Sequence, residues 1–254
     1  MRVSSLIRGN QIAEYLGAKL NPTEGYENDV CIYVKPHVKN FEDFKFEGKP
    51  YLDIVDSWDL TSLLLKHPEV PVIALSKFDY DSLKRDLPNR VVFIPQHNCN
   101  YERIRRTRTG IKTLGAIGCT FDLQFFPPAL NDELAKRGMT LYAYSKFAKR
   151  QDVVDAFMKV DVQIVWRPYK MKMRNPLKLV NASSFGIPTI AFHEKAFDEM
   201  GDCYIPVNNF EEFLARLDEL LSAPWLYDEY AQKCIAKSEE YHISKIAELY
   251  KALC

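Results

Sequence analysis

Short runs rich in β-branched and aromatic residues alternate with longer amphipathic stretches along the chain, and this alternation restricts the fold more than any other feature. The first β-like runs are Val3–Ile7, Val30–Val34, Leu52–Val55, Val70–Leu75 and Val91–Ile94, with helix-like stretches at Asn10–Leu16, Leu60–His67 and Tyr80–Asp86. A second series follows: Ile111–Ile117, Met139–Tyr144, Val162–Trp166, Thr189–Phe192 and Cys203–Val207. Its helical stretches are Phe125–Arg137, Gln151–Lys159, Leu177–Phe185 and Phe210–Leu221, and it closes on a long run from Leu226 to Leu253. Strands alternating with helices of this length predict parallel β-α-β units with right-handed crossovers.

Ten strands are many for one sheet. The two series are also separated by a stretch rich in charge and poor in apolar residues, His97 to Gly110. The expected architecture is α/β, with two Rossmann-like domains facing across a cleft. The first spans 1–105 and the second 106–254, and the C-terminal helical run is long enough to cross back to the first. Trp225, Tyr227, Tyr230, Tyr241 and Tyr250 in that run are spaced for packing.

Lysine plus arginine and aspartate plus glutamate both number 34, so global charge points to no polyanionic partner. No stretch of 18 apolar residues suits a membrane span, and Met1–Arg8 is too short and polar for a secretory signal. The cysteines, Cys31, Cys99, Cys119, Cys203, Cys234 and Cys254, form no C-x-x-C pair, which argues against a zinc site or thioredoxin-like chemistry. Reduced thiols, a cytoplasmic setting, no stable membrane insertion and no bound metal are expected. Cys31, between Val30 and Ile32, reads as a core residue.

Open parallel sheets bind ligands outside the carboxyl ends of their strands, where helix N-termini suit phosphates. Two segments stand there. Leu114-Gly115-Ala116-Ile117-Gly118 ends a strand with two glycines that allow either a phosphate contact or tight packing. It is not G-x-G-x-x-G, and Met139–Tyr144 ends on no acid, so a dinucleotide site is disfavoured. The other segment, Arg167 to Lys178, follows Val162–Trp166 and runs into a helix. No acid occurs from Val162 to His193, while Arg167, Lys170, Lys172, Arg174 and Lys178 are basic. Cations at a helix start match a diphosphate; a solvated loop is the alternative. A further basic run, Arg103 to Lys112, reads as a phosphate contact, a guide for an anionic acceptor, or an exposed hinge.

The stretch Asn175-Pro176-Leu177-Lys178-Leu179-Val180-Asn181-Ala182-Ser183-Ser184-Phe185-Gly186-Ile187-Pro188-Thr189-Ile190-Ala191 resembles the donor-site helix of GT-B glycosyltransferases, followed by Gly-x-Pro and a strand. Asp152-Val153-Val154 and Asp161-Val162-Gln163-Ile164 resemble the helix and strand before it. The resemblance covers the last 145 residues or so well and the first 105 loosely. Many retaining members carry two glutamates eight positions apart here; this chain has Met173 and Asn181.

The resemblance implies a glycosyltransferase of the family 4-like type, moving a sugar from a nucleotide-diphosphate sugar to an acceptor hydroxyl without a metal or other cofactor. Arg167, Lys172, Arg174, Lys178, Gly115 and Gly118 are the diphosphate candidates, and Asn181 and Ser145 the nucleoside candidates. Arg8 and Gly9, after the first strand, fall on the acceptor side and could approach the phosphates or the acceptor; more simply, Gly9 eases the strand-to-helix turn. His97 and Asp56 are candidate bases, His97 for its intrinsic pKa and Asp56 for its place after a strand. Asp59 could reach the cleft or N-cap the next helix. The acceptor could be a sugar, a lipid-linked or small-molecule hydroxyl, or nucleic acid followed by Arg103, Arg105, Arg106 and Arg108. A non-catalytic module binding a nucleotide or an anionic polymer is the competing reading.

Overall fold

The computed structural model describes residues 5–38, 42–106, 108, 110–118, 120–169 and 171–254. Val3, Ser4, Cys119 and Lys170, which entered the readings above, lie outside the described residues. The chain divides into two compact units: Met1–His97 with Met171–Asn175 and Ile243–Cys254, and Asn98–Lys170 with Pro176–His242. The main division thus falls at His97, several residues before the sequence-based boundary.

In the first unit, β1 (Val30–Val34), β2 (Lys49–Asp53), β3 (Val72–Ala74) and β4 (Val91–Phe93) form a parallel sheet in simple sequential order. Helices α1 (Ile12–Leu16), α2 (Thr61–Lys66) and α3 (Lys77–Asp86) accompany it. Ser76 caps α3 by accepting a hydrogen bond from the Asp79 N–H at 3.0 Å. Leu52, Ile54, Leu63, Leu64, Val72 and Leu83 build the core, and Met173 joins it at 3% exposure.

Over its described residues, the strand expected at Val3–Ile7 does not form. Residues Ser5–Gln11 are π-helical instead. A short apolar run is equally compatible with strand and helix, and tertiary bonding decides. Arg8 turns inward, where its Nε donates to Asp53 at 2.7 Å and its Nη1 to the Pro95 carbonyl at 2.9 Å. Asp59 does not cap α2: it lies within a short 3-10 turn, Trp58–Leu60, and the α2 N-cap is Leu60.

In the second unit, β5 (Thr113–Ile117), β6 (Thr140–Tyr144), β7 (Val162–Val165), β8 (Thr189–Phe192) and β9 (Ile205–Val207) are parallel, in the order β6-β5-β7-β8-β9. The helices are α4 (Leu130–Lys136), α5 (Arg150–Phe157), α6 (Leu177–Ser184), α7 (Phe210–Ser222) and α8 (Pro224–Ser238). Leu114, Val162 and Ile164 point into a core shared with Leu134, Phe213 and Leu217; on the opposite face Ile117 packs with Val154, Phe157 and Phe185. Helix α6 ends as expected at Gly186, whose N–H donates to Ser183 O at 2.9 Å while Ile187 N–H reaches Ala182 O at 3.0 Å.

The C-terminal run is not one helix. After α8 comes a 3-10 turn, Glu239–Tyr241, an extended His242, and α9 (Ile243–Lys251), which groups with the first unit and packs on α1. Tyr227, Tyr241 and Tyr250 are buried, whereas Trp225 is 68% exposed and does not pack. The five described cysteines are free thiols, with Cys31 half-buried rather than in the core. No helix among the described residues is long and apolar enough to cross a membrane.

The stretch between the two strand series begins buried, while Arg103, Arg105 and Gly110 further along are exposed. Asn98, Cys99 and Asn100 are buried and strapped onto the second unit. Asn98 Nδ2 donates to Ser238 O at 3.1 Å, and Asn100 Nδ2 donates to Ser184 O at 2.8 Å. The arginines that follow have partners within the same unit, Arg103 and Arg105 from exposed positions. Arg103 pairs with Glu239, Arg105 donates to Ser184 O, and Arg106 and Arg108 approach Asp161 at 2.8 and 3.8 Å.

Candidate functional site

Strand order marks a candidate site in the second unit. The chain leaves β5 for β6 on one side, then returns to place β7 on the other. The order reverses between β5 and β7, which is where an open parallel sheet leaves a crevice at the carboxyl ends of its strands. The first unit, in sequential order β1 to β4, has no such reversal among its described strands. A crevice of about 10 Å³, room for roughly one water, lies at the switch point. Gly118, Asp122, Trp166 and Lys178 are among its lining residues.

Two predicted segments meet here. Lys178 lies in the first turn of α6, and its stem crosses the backbone of Gly118. A Cβ on Gly118 would stand 2.7 Å from Lys178 Cε, and its φ of 141° is in the region that favours glycine. Helix α6 begins at Pro176 without a side-chain cap, so its positive end adds to the Lys178 charge. The N–H of Gly118 is not available to a phosphate, because it donates to Tyr144 O at 2.9 Å. Gly115 serves packing instead: it is buried in β5, and a Cβ there would lie 2.4 Å from Val160.

The other cations of the turn are dispersed. Arg167 binds Glu194 through Nε at 2.7 Å and Nη2 at 3.1 Å. Lys172 stands 5.0 Å from the Trp58 ring centre in the first unit. Arg174 also belongs to that unit, where it is 7% exposed and its N–H donates to Asp79 at 3.3 Å. The acid-free window was therefore no acid-free environment, since Asp79, Asp122 and Glu194 reach it from other parts of the chain. Asp122 and Tyr169 are the site residues that sequence reasoning missed. The available signal was an acid four residues beyond Gly118, in the loop that ends β5.

Asp122 accepts hydrogen bonds from Lys178 and, at 2.6 Å, from the Tyr169 hydroxyl. Burial works to raise its pKa, but Lys178 and Tyr169 outweigh that and hold the carboxyl below its ordinary range. Among the nucleoside candidates, Asn181 Oδ1 accepts from the Cys99 N–H at 2.9 Å, and Ser145 is half-buried just after β6.

In the first unit, His97 is 1% exposed and its Nε2 lies 3.1 Å from Ile7 O, so it stands in the interior of that unit. Arg8 is likewise buried against Asp53, and Gly9 sits inside the π-helical turn with nothing near its Cα that demands glycine. Asp56 is exposed at the carboxyl end of β2 and paired with Lys35. Next to it Val55 has φ 56°, a strained value for a β-branched residue. Among the described residues, no group of three or more His, Cys, Asp or Glu side chains is placed to hold a metal ion.

Known proteins with this architecture agree on one fold. TarM superposes with a TM-score of 0.59 at 13% identity, over 84% of this chain and 51% of its own. HepE from Anabaena, in complex with UDP and glucose, gives 0.62 at 12%, over 80% of this chain and 70% of its own. Sucrose-phosphate synthase from Thermosynechococcus elongatus gives 0.58 at 12%, over 82% and 69%. The fold is that of the GT-B glycosyltransferases.

No protein-family model matches the sequence. An uncharacterized glycosyltransferase of Haemophilus influenzae is 32% identical over 84 residues, which cover 31% of this chain and 24% of that protein. This chain thus spans about a quarter of that relative and half of TarM. Within the GT-B frame, the two positions compared with glutamates serve other ends. Met173 fills the core of the first unit, and Asn181 holds the Cys99 backbone.

Proposed function

We propose that the protein is a glycosyltransferase that moves a sugar from a nucleotide-diphosphate sugar to an acceptor hydroxyl, with the donor diphosphate at the switch point of the second unit. The observation that carries this reading is the meeting of Lys178, the α6 N-terminus and Gly118 between β5 and β7. In the proposed reaction the bond from the sugar anomeric carbon to the diphosphate oxygen breaks. Lys178 and the helix dipole stabilise the charge on the leaving diphosphate without a metal ion. The acceptor oxygen bonds to that carbon and gives up its proton to a general base. HepE and the O-GlcNAc transferase GtfA have been crystallised with UDP, which makes uridine nucleotides the first donors to test. The free thiols favour a cytoplasmic setting.

The interior position of His97 favours a second reading, a non-catalytic nucleotide-binding module. Turnover separates the two. A thermal-shift screen of UDP and UDP-sugars should raise the melting temperature, since ligand at a hundred times Kd adds about 2.7 kcal/mol to stability. Lys178→Ala should abolish that shift and any donor hydrolysis. A shift that survives in Lys178→Ala would place the nucleotide elsewhere.

A further inference from the structure

Each described cation predicted to meet the diphosphate already has a structural neighbour, but among the described residues only Lys178 meets its acid inside the switch-point crevice. Asp122 lies on the 3-10 turn Thr120–Phe125, one carboxylate oxygen on the Lys178 ammonium and the other on the Tyr169 hydroxyl. The two charged side chains are 9% and 23% exposed. With both in place the crevice measures about 10 Å³. Tyr169 is itself fixed by aromatic packing, its ring 4.6 Å from Phe125 and 5.5 Å from Phe121.

This arrangement puts an anion where the donor reading puts another. Asp122 stays ionised at neutral pH, because Lys178 and Tyr169 both stabilise the carboxylate. Lys178 is thus charge-compensated before any ligand arrives, and an incoming phosphate meets a like charge at contact range in a partly desolvated site. A compact ammonium on a flexible stem can be drawn from one anion to another without rearranging the backbone.

Resting on the donor-site reading above, we propose that Asp122 is a gate residue that sets ligand specificity: it holds Lys178 across Gly118 until a diphosphate takes the ammonium over. Affinity then reflects the difference between two anions bidding for one cation, and ligands of low charge gain nothing from Lys178. The exchange involves no covalent step.

Calorimetric titration of the full chain with UDP, UMP and uridine tests this in wild type, Asp122→Asn, Lys178→Ala and the double variant. Asparagine keeps the shape and the acceptor for Tyr169 and removes the charge. Asp122→Asn should tighten UDP binding about tenfold, on the scale that separates charge-assisted from neutral hydrogen bonds, and leave uridine unchanged. The gain should vanish in the Lys178→Ala background. Tyr169→Phe, which loosens Asp122 and keeps the aromatic packing, should give a smaller gain of the same sign, and it serves if the asparagine variant does not fold. Unchanged or weaker UDP binding in Asp122→Asn, with wild type binding UDP and Lys178→Ala losing it, overturns the gate and leaves the donor site standing. A gain that persists without Lys178 also overturns it. If no variant binds any of the three ligands, the donor reading fails and the gate fails with it.

Discussion

Arg8 and Asp53 show how much one buried pair can decide. Both side chains have no exposure. Burial alone would lower the Arg8 pKa, but the Asp53 carboxylate more than offsets it, and the guanidinium stays charged. The pair ties the π-helical entry of the chain to the end of β2, and the Tyr250 ring of α9 lies 5.3 Å from the Arg8 guanidinium carbon. Removing one partner leaves the other buried and uncompensated. Arg8→Met should therefore cost about 3–5 kcal/mol in urea unfolding, and Arg8→Met combined with Asp53→Leu should recover much of the loss. In the sequence Arg8 looked like a ligand contact because it stands beside a glycine near a presumed strand end. Nothing local to residues 5–11 announces a partner forty-five residues away.

At the scale of elements, the two glycines of β5 and its loop have opposite duties. Gly115 is fixed by close packing, and an alanine there would meet Val160. Gly115→Ala should lower stability by about 1–3 kcal/mol, as overpacking does, and leave nucleotide affinity of the folded protein near wild type. Gly118→Ala should instead displace the Lys178 stem and weaken UDP binding, with a stability loss of about 1 kcal/mol from the disfavoured φ. Parallel thermal unfolding and UDP titration distinguish the two. Loss of UDP binding in Gly115→Ala with none in Gly118→Ala would reverse these assignments. The sequence showed the pair of glycines and left both duties open, because spacing within a strand does not reveal what crosses it. The helix boundaries around this strand were more legible: α6 and its glycine stop are fixed by contacts within a few residues. The C-terminal run was less legible, since the break at His242 is set by Tyr101, whose carbonyl lies 3.0 Å from the His242 ring.

For the whole molecule, strand order matters more than strand content. The second unit reverses its order at β5 and the first does not reverse at all among its described strands. Under the donor reading, saturating UDP should slow hydrogen exchange in the loop after β5 and in the first turn of α6, and leave β1 to β4 unchanged. Mass-resolved exchange with and without UDP checks this; protection confined to β1–β4 would move the nucleotide to the other unit.

The alternation of β-like and helical runs determined the α/β class and the two parallel sheets, because hydrophobic period and segment length are local properties. The same local reading drew Lys178 and Gly118 toward one site, since both follow strands in the same unit. Which cations remain for a ligand was decided by tertiary structure. Asp122, Glu194 and Asp161 lie far in sequence from the arginines and lysine they meet, and an ion pair depends on distance in space.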